Sequence, residues 1–191
     1  LGADDDTRLA AYVEQQLNPS AIPDTDLNAR LAQYSSSFAV MNQSLATAWG
    51  ARECDPDYDD YARPYREVEK AAFTRAIYSR RQLFELIVEF WHDHLNVYAP
   101  LDRDTLVSWH SWDRDVIRAH AFGNFYNLIH TSAQHPTMLR YLDNYANGGG
   151  SGGFNENYAR ELFELHTLGA ENYRGLAQPL TVEALAENPY T

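Results

Sequence analysis

Cysteine is all but missing from this 191-residue chain: Cys54 stands alone, which excludes a disulfide framework within the chain and a cysteine metal cluster. Lysine is as scarce. Lys70 is the only one, and arginine supplies every other basic side chain; genome composition is the first reason for such a bias and bidentate pairing by guanidinium the second. Long apolar runs are lacking too. The best candidate, Leu83 to Trp91, is interrupted by Glu85 and Glu89, short of the roughly 18 apolar residues that a membrane-crossing helix needs. No charged-then-apolar leader follows Leu1, so any signal peptide is expected to be gone or never to have been present. Positive charge is outweighed, with 15 Lys and Arg against 27 Asp and Glu and a net charge of -12. The basic residues are scattered among acidic ones, which argues against a nucleic-acid partner and against an anionic membrane surface. Strand-type alternation is nowhere sustained, and no internal repeat is visible.

What remains is helical. The hydrophobic fraction of 45% suffices for a core without disulfides or metals. Asp4 to Asp6 open a first helix on which Leu9, Val13 and Leu17 recur at helical spacing. After a connector at Asn18 to Asp24, a second helix is expected with Leu27, Leu31, Tyr34, Phe38 and Leu45 on one side and Gly50 as its stop. Residues 52–64 read as an acidic, tyrosine-rich loop, with Pro64 placed to open the next helix. Helical spacing then runs from Tyr65 to Tyr98 with a break near Ser79, and from Trp112 or Asp113 with an interruption at Gly123. It continues through Ile129 to His135-Pro136, and a short helix follows at Pro136 to Tyr145. Residues 146–154, rich in glycine, form a second loop, which lacks the Gly-Lys-Ser/Thr of a phosphate-binding loop. Asn155 to Leu168 makes a helix stopped by Gly169, and a weak one starts at Thr181. The expected fold is all-α: an irregular multi-helix bundle with long loops, one domain over residues 1–191.

Four segments carry a resemblance: NENYARELFELHTLG at Asn155 to Gly169, HPTMLRYLDN at His135 to Asn144, IRAHAFGNF at Ile117 to Phe125, and FWHDHLNV at Phe90 to Val97. In order and spacing they resemble the signature segments of the bacterial domain-of-unknown-function 1800 family, with Asp93 and Leu95 standing where that family more often has Asn and Phe. The stretch QLNPSAIPDTDLNARL is similar to its opening helix-loop-helix. The resemblance implies an exported protein, periplasmic or secreted. It also implies that these residues are the N-terminal part of a longer protein. It carries no reaction, cofactor or catalytic residue.

Helical wheels at about 100° per residue supply candidates for chemistry. They turn His94, His120 and His166 inward on three different helices, with Glu161 at the margin of the last apolar arc. Imidazole and carboxylate suit zinc or iron, and three protein ligands with an open position is a catalytic arrangement. The plainer reading makes each histidine a neutral core residue with its ring nitrogens bonded. Glu89-x-x-His92, with Glu85 a turn earlier, has the spacing of half a di-iron site but lacks a second half, so Glu85, Glu89, His92 and Asn96 read as a solvated face. Glu156, Arg160 and Glu164 read as an ion-pair ladder, with Arg118 or Arg140 as further partners if the helix is buried; Asn155 and Asn157 read as capping residues. Asn155, Glu156, Arg160, Glu164 and His166 together form the structural signature. Asp143, Asn144, Asn147, Asn155 and Glu156 offer a weak calcium site of no EF-hand spacing. Aromatics at 58–65 and 98–112 suit an interface or a carbohydrate-contacting surface. Two functions follow: a binding or structural subunit of a larger assembly, with a protein partner or oligomer; or a zinc- or iron-dependent hydrolase or oxidoreductase.

Overall fold

The computed structural model describes residues 4–54, 61–148 and 154–173. Among them the regular structure is entirely helical, with no strand. The elements are α1 (Asp5–Gln16), α2 (Thr25–Gln33), α3 (Leu45–Cys54), α4 (Arg63–Tyr78), α5 (Gln82–His94), α6 (Arg103–Ser111), α7 (Phe125–Gln134), α8 (Pro136–Tyr141) and α9 (Asn157–Glu161). Two of them run on into π-helical segments, α6 through Trp112–Arg118 and α9 through Leu162–Thr167. The weak helix expected from Thr181 lies outside the described residues, as do residues 55–60 of the acidic loop and 149–153 of the glycine loop.

Helix α6 is the hub, packing against α3, α4 and α8. It starts about ten residues before the helix expected from the sequence at Trp112. The Asp102 carboxylate accepts from the Thr105 amide (2.8 Å) and the Thr105 hydroxyl from the Asp102 amide (3.1 Å), a reciprocal cap that satisfies two orphan donors. The apolar stripe is missing because α6 has no outer face. Val107, Trp112, Val116 and Ile117 are fully buried, and so are Thr105, Ser108, His110 and Ser111. Buried hydroxyls must find partners. Ser108 donates to the Asp104 carbonyl (2.7 Å), Ser111 to the Ser108 carbonyl (2.9 Å), and Thr137 on α8 to the Ser108 hydroxyl (2.7 Å). Trp112 therefore belongs to the packed interior, in the main core with Leu95, Leu128 and Met138, whereas Trp109 is half-buried and packs against two clusters from their edge.

The expected helix from Asp24 to Gly50 is in fact two helices, with Gly50 inside the second. Between them Val40 and Met41 turn their amides to one oxygen of buried Glu67 on α4, both at 2.8 Å. The other oxygen accepts from Arg63 at 2.9 Å, and Ser44 then caps α3 through the Thr47 amide. A carboxylate taking two backbone N–H bonds from a distant segment outweighs the local helical spacing of residues 34–45. The break near Ser79 occurs as expected. Asp24 accepts from the Ser79 hydroxyl and the Arg80 amide, both at 2.7 Å, and Gln16 bridges the Arg80 carbonyl and the Leu83 amide. Helices α4 and α5 diverge from this corner.

Removing Glu67 strands the two buried amides of Val40 and Met41. We predict that Glu67→Ala lowers unfolding free energy by about 3 kcal/mol and that Glu67→Gln, which keeps an acceptor oxygen, costs less than half as much, both read by urea titration.

Candidate functional site

Because α4 and α5 splay, they enclose a cavity of about 630 Å³ whose floor is α6 and its π-helical extension. The α4 wall presents Val68, Ala72 and Ala76, the α5 wall Glu85, Glu89 and His92, each set at helical spacing, and Trp109, Asp113 and Arg118 line the floor. Glu85, Glu89, His92 and Asn96, expected on a solvated face, thus line a cavity. The reason lies in tertiary structure, since a wheel cannot tell a face open to solvent from one opposed by another helix across a gap.

The polar groups on the floor are tied together. His92 Nε2 lies 3.0 Å from Asp113 Oδ1, and Arg75 reaches the other oxygen from 3.7 Å. Burial pushes the Asp113 carboxyl up, but the hydrogen bond from His92 and the Arg118 and Arg75 charges outweigh it and hold the group below its ordinary value. An ionised carboxylate only accepts, so His92 donates to it from Nε2. The ring leans on Trp109, centroid to centroid 5.4 Å. Arg118 pairs with Glu85 at 2.7 Å, not with the signature helix as considered from the sequence; Arg140 is likewise committed elsewhere, to Asp102 (2.8 Å) and Asp104 (3.2 Å). At the outer end Tyr65 donates to Glu69 at 2.7 Å, which together with burial pushes the phenol up to about 12. Asp113 had no signal in the sequence beyond an acid in an apolar stretch.

Of the histidines expected to face inward, His94 and His166 do meet. His94 Nε2 lies 2.9 Å from the His166 carbonyl oxygen and donates to it, and the two rings are 6.4 Å apart. His166 is buried; His94 and His120 are half-buried. Among the described residues no three His, Cys, Asp or Glu side chains are grouped as a metal shell. Glu161 instead lies 3.4 Å from Arg160. The π-helical segments explain why the wheels do not carry over: His166 sits within one and His120 just after the other, where i→i+5 bonding breaks the 100° step. Two further buried histidines, His110 and His135, went unremarked in the sequence. His110 bonds through Nδ1 to the Val107 carbonyl. His135 caps α8 by accepting from the Thr137 amide at Nδ1, which fixes its proton on Nε2, directed at Ser111.

The signature segment behaves structurally. Arg160 pairs with Glu164 (2.9 Å) and bonds Asn157 (2.8 Å), and Asn155 accepts from the Asn157 amide. These groups are half-buried at the surface and still reached by solvent, so the pair contributes only tenths of a kcal/mol, roughly 0.3–0.5. Asn147, considered for calcium, instead clamps Asn155: its amide donates to the Asn155 carbonyl and its oxygen accepts from the Asn155 N–H, both at 2.7 Å.

Residues 1–179 match the model of the family described as Protein of unknown function (DUF1800). The chain belongs to that family. No curated protein and no solved structure matches it. In this DUF1800 chain the four segments that carry the resemblance also build the core and its surroundings: Leu95, Ile117, Met138 and His166 are all buried.

Burial pushes His135 down to about 4, and burial followed by the neighbouring His94 does the same to His166. An unfolded histidine titrates near 6.5. Between about pH 6.5 and 4 the unfolded chain takes up protons that the folded one refuses, so stability is full above this window and falls as pH drops through it. We predict a loss of up to about 3 kcal/mol per histidine from pH 7 to pH 4. His135→Asn keeps a capping acceptor but does not titrate; it should flatten the slope in a pH series of thermal melts.

Proposed function

We propose that this DUF1800 chain is an exported ligand-binding module whose site is the cleft between α4 and α5. The observation that carries the reading is the cleft itself, a cavity of about 630 Å³ with apolar and charged side chains side by side on its walls and a floor whose polar groups are oriented before any ligand arrives. Sites for small molecules are concave, mostly apolar and equipped with a few placed polar groups. Here Asp113 fixes the plane of His92 through its Nε2–H, while Glu85 and Arg118 neutralise one another. Phe73, Ile77, Leu86 and Phe90 are more than half exposed on the same two helices, an apolar surface that also suits a protein partner in a larger assembly. No described helix is long and apolar enough to cross a membrane.

The test is a thermal-shift screen of small amphipathic molecules on the chain and on Ala76→Trp, which fills the cleft from an exposed alanine on the α4 wall without touching its floor. Ligands of the cleft should lose at least tenfold in affinity in the variant. If every hit binds both proteins equally, the site lies elsewhere. A reporter fusion to the native gene, followed by fractionation, tests export.

A second reading, a zinc or iron centre, is favoured by the approach of His94 to His166. It would use Nδ1 of His94, since Nε2–H is given to the His166 carbonyl. Elemental analysis of protein purified without chelators or a histidine tag decides it: about one metal per chain, lost in His166→Ala, establishes the centre, and no metal in folded protein removes it.

A further inference from the structure

The charges and rings around the α4–α5 cleft narrow the kind of molecule it takes; the argument rests on the cleft being a ligand site. Its deep charges are already matched. Asp113 faces His92 and Arg75, and Glu85 faces Arg118. The remaining carboxylates are not matched by cations: Glu69 on the α4 wall receives only the Tyr65 hydroxyl among the described residues, and Glu89 and Asp93, one turn apart on α5, form no ion pair among them. All three are exposed residues lining the cleft. An anionic ligand would meet this negative charge, while Arg118 is paired with Glu85 and Arg75 does not line the cleft.

The second observation is aromatic. Tyr65 and Trp109 meet with centroids 6.1 Å apart and planes tilted by 55°, making a corner of two ring faces, and Phe73 and Tyr98 also line the cleft. Since Tyr65 donates its proton to Glu69 and stays neutral, its ring keeps an ordinary electron-rich face. Ring faces beside carboxylates attract cations, and an organic ammonium does so while burying its carbon body. The apolar portion of the wall, from Val68, Ala72 and Leu86, provides for that body.

We propose that the cleft binds an organic cation, an amine or quaternary ammonium carried on an apolar group. Its charge lies among Glu69, Glu89 and Asp93 and its body against the Tyr65–Trp109 corner. The ligand class is set by a charged rim and a neutralised floor.

Calorimetric titration of the chain with phenethylamine and benzyltrimethylammonium, against 2-phenylethanol and phenylacetate, tests this. The two cations should bind at least tenfold tighter than the alcohol, phenylacetate weakest of all, and the preference should shrink as salt is raised. The double variant Glu89→Gln/Asp93→Asn should lose about tenfold for the cations and nothing for the alcohol. Glu69→Gln is a separate check, since its loss acts from the opposite wall. If the alcohol or phenylacetate binds as tightly as the cations, and Ala76→Trp abolishes that binding, the cation proposal falls while the cleft stands as a ligand site. If the cations bind but Ala76→Trp binds them equally well, or if none of the four binds at millimolar concentration, the proposal is overturned; the broader screen then decides the fate of the cleft.

Discussion

A helix buried on every side has to satisfy its polar side chains from within, and α6 is such a helix. Thr105, Ser108 and Ser111 return their hydroxyl protons to carbonyls of the surrounding backbone or of α6 itself. Thr137 and His135 then close the network from α8. Each such bond contributes only about 1 kcal/mol net, whereas leaving one group unpaired costs about 1–3 kcal/mol, so the network specifies the seating of α6 more than it strengthens it. Everything around α6 inherits that seating. Helices α3, α4 and α8 are laid against it, and the π-helical extension carries Asp113 and Arg118 to the base of the α4–α5 cleft.

Asp113 is the costliest group in this arrangement. Its side chain is 6% exposed, and an isolated carboxylate at such depth would be neutral. Three elements supply what keeps it ionised: Arg75 from α4, His92 from α5 and Arg118 from the same π-helical segment. The near absence of lysine fits this geometry. A planar guanidinium serves a carboxylate and still rests on a ring, as Arg118 does with Glu85 and Phe84, which a compact ammonium does less well. The charge that matters for the cleft is thus balanced below its surface, leaving the rim to present a sign of its own.

Much of the helical framework was legible because amphipathic spacing and terminators act locally. Pro64 opening α4, the turn at Ser79, the stop before Pro136 and the left-handed Gly169 all follow from backbone chemistry that neighbours in sequence decide. Three features were not legible, and each for a physical reason. Helix α6 lacks a stripe because both its apolar and its hydroxyl residues face inward. The turn at Val40 depends on Glu67, 27 residues away. The candidate site depends on the π-helical extension of α6 and on a gap between α4 and α5, and neither leaves a periodic trace; of the inward histidines, His166 is buried and meets His94, while His120 is half-buried. His92 was noticed for its spacing to Glu89, but its actual partner, Asp113, lies 21 residues on, in a separate helical stretch that no local pattern connects to α5.

The corner where α4 turns into α5 is fastened entirely from behind. Gln16 holds the Arg80 carbonyl and the Leu83 amide, Asp24 holds the Ser79 hydroxyl and the Arg80 amide, and Arg81 reaches the Ile22 carbonyl at 3.0 Å. These anchors belong to α1 and the connector after it, none of which lines the cleft. The opening therefore works like a pair of tongs whose rivet is set by the N-terminal segment: loosening the rivet widens or narrows the jaws without altering a single residue inside them. Sequence change in the first 24 residues can in this way tune what the cleft admits, at a distance and by aperture alone.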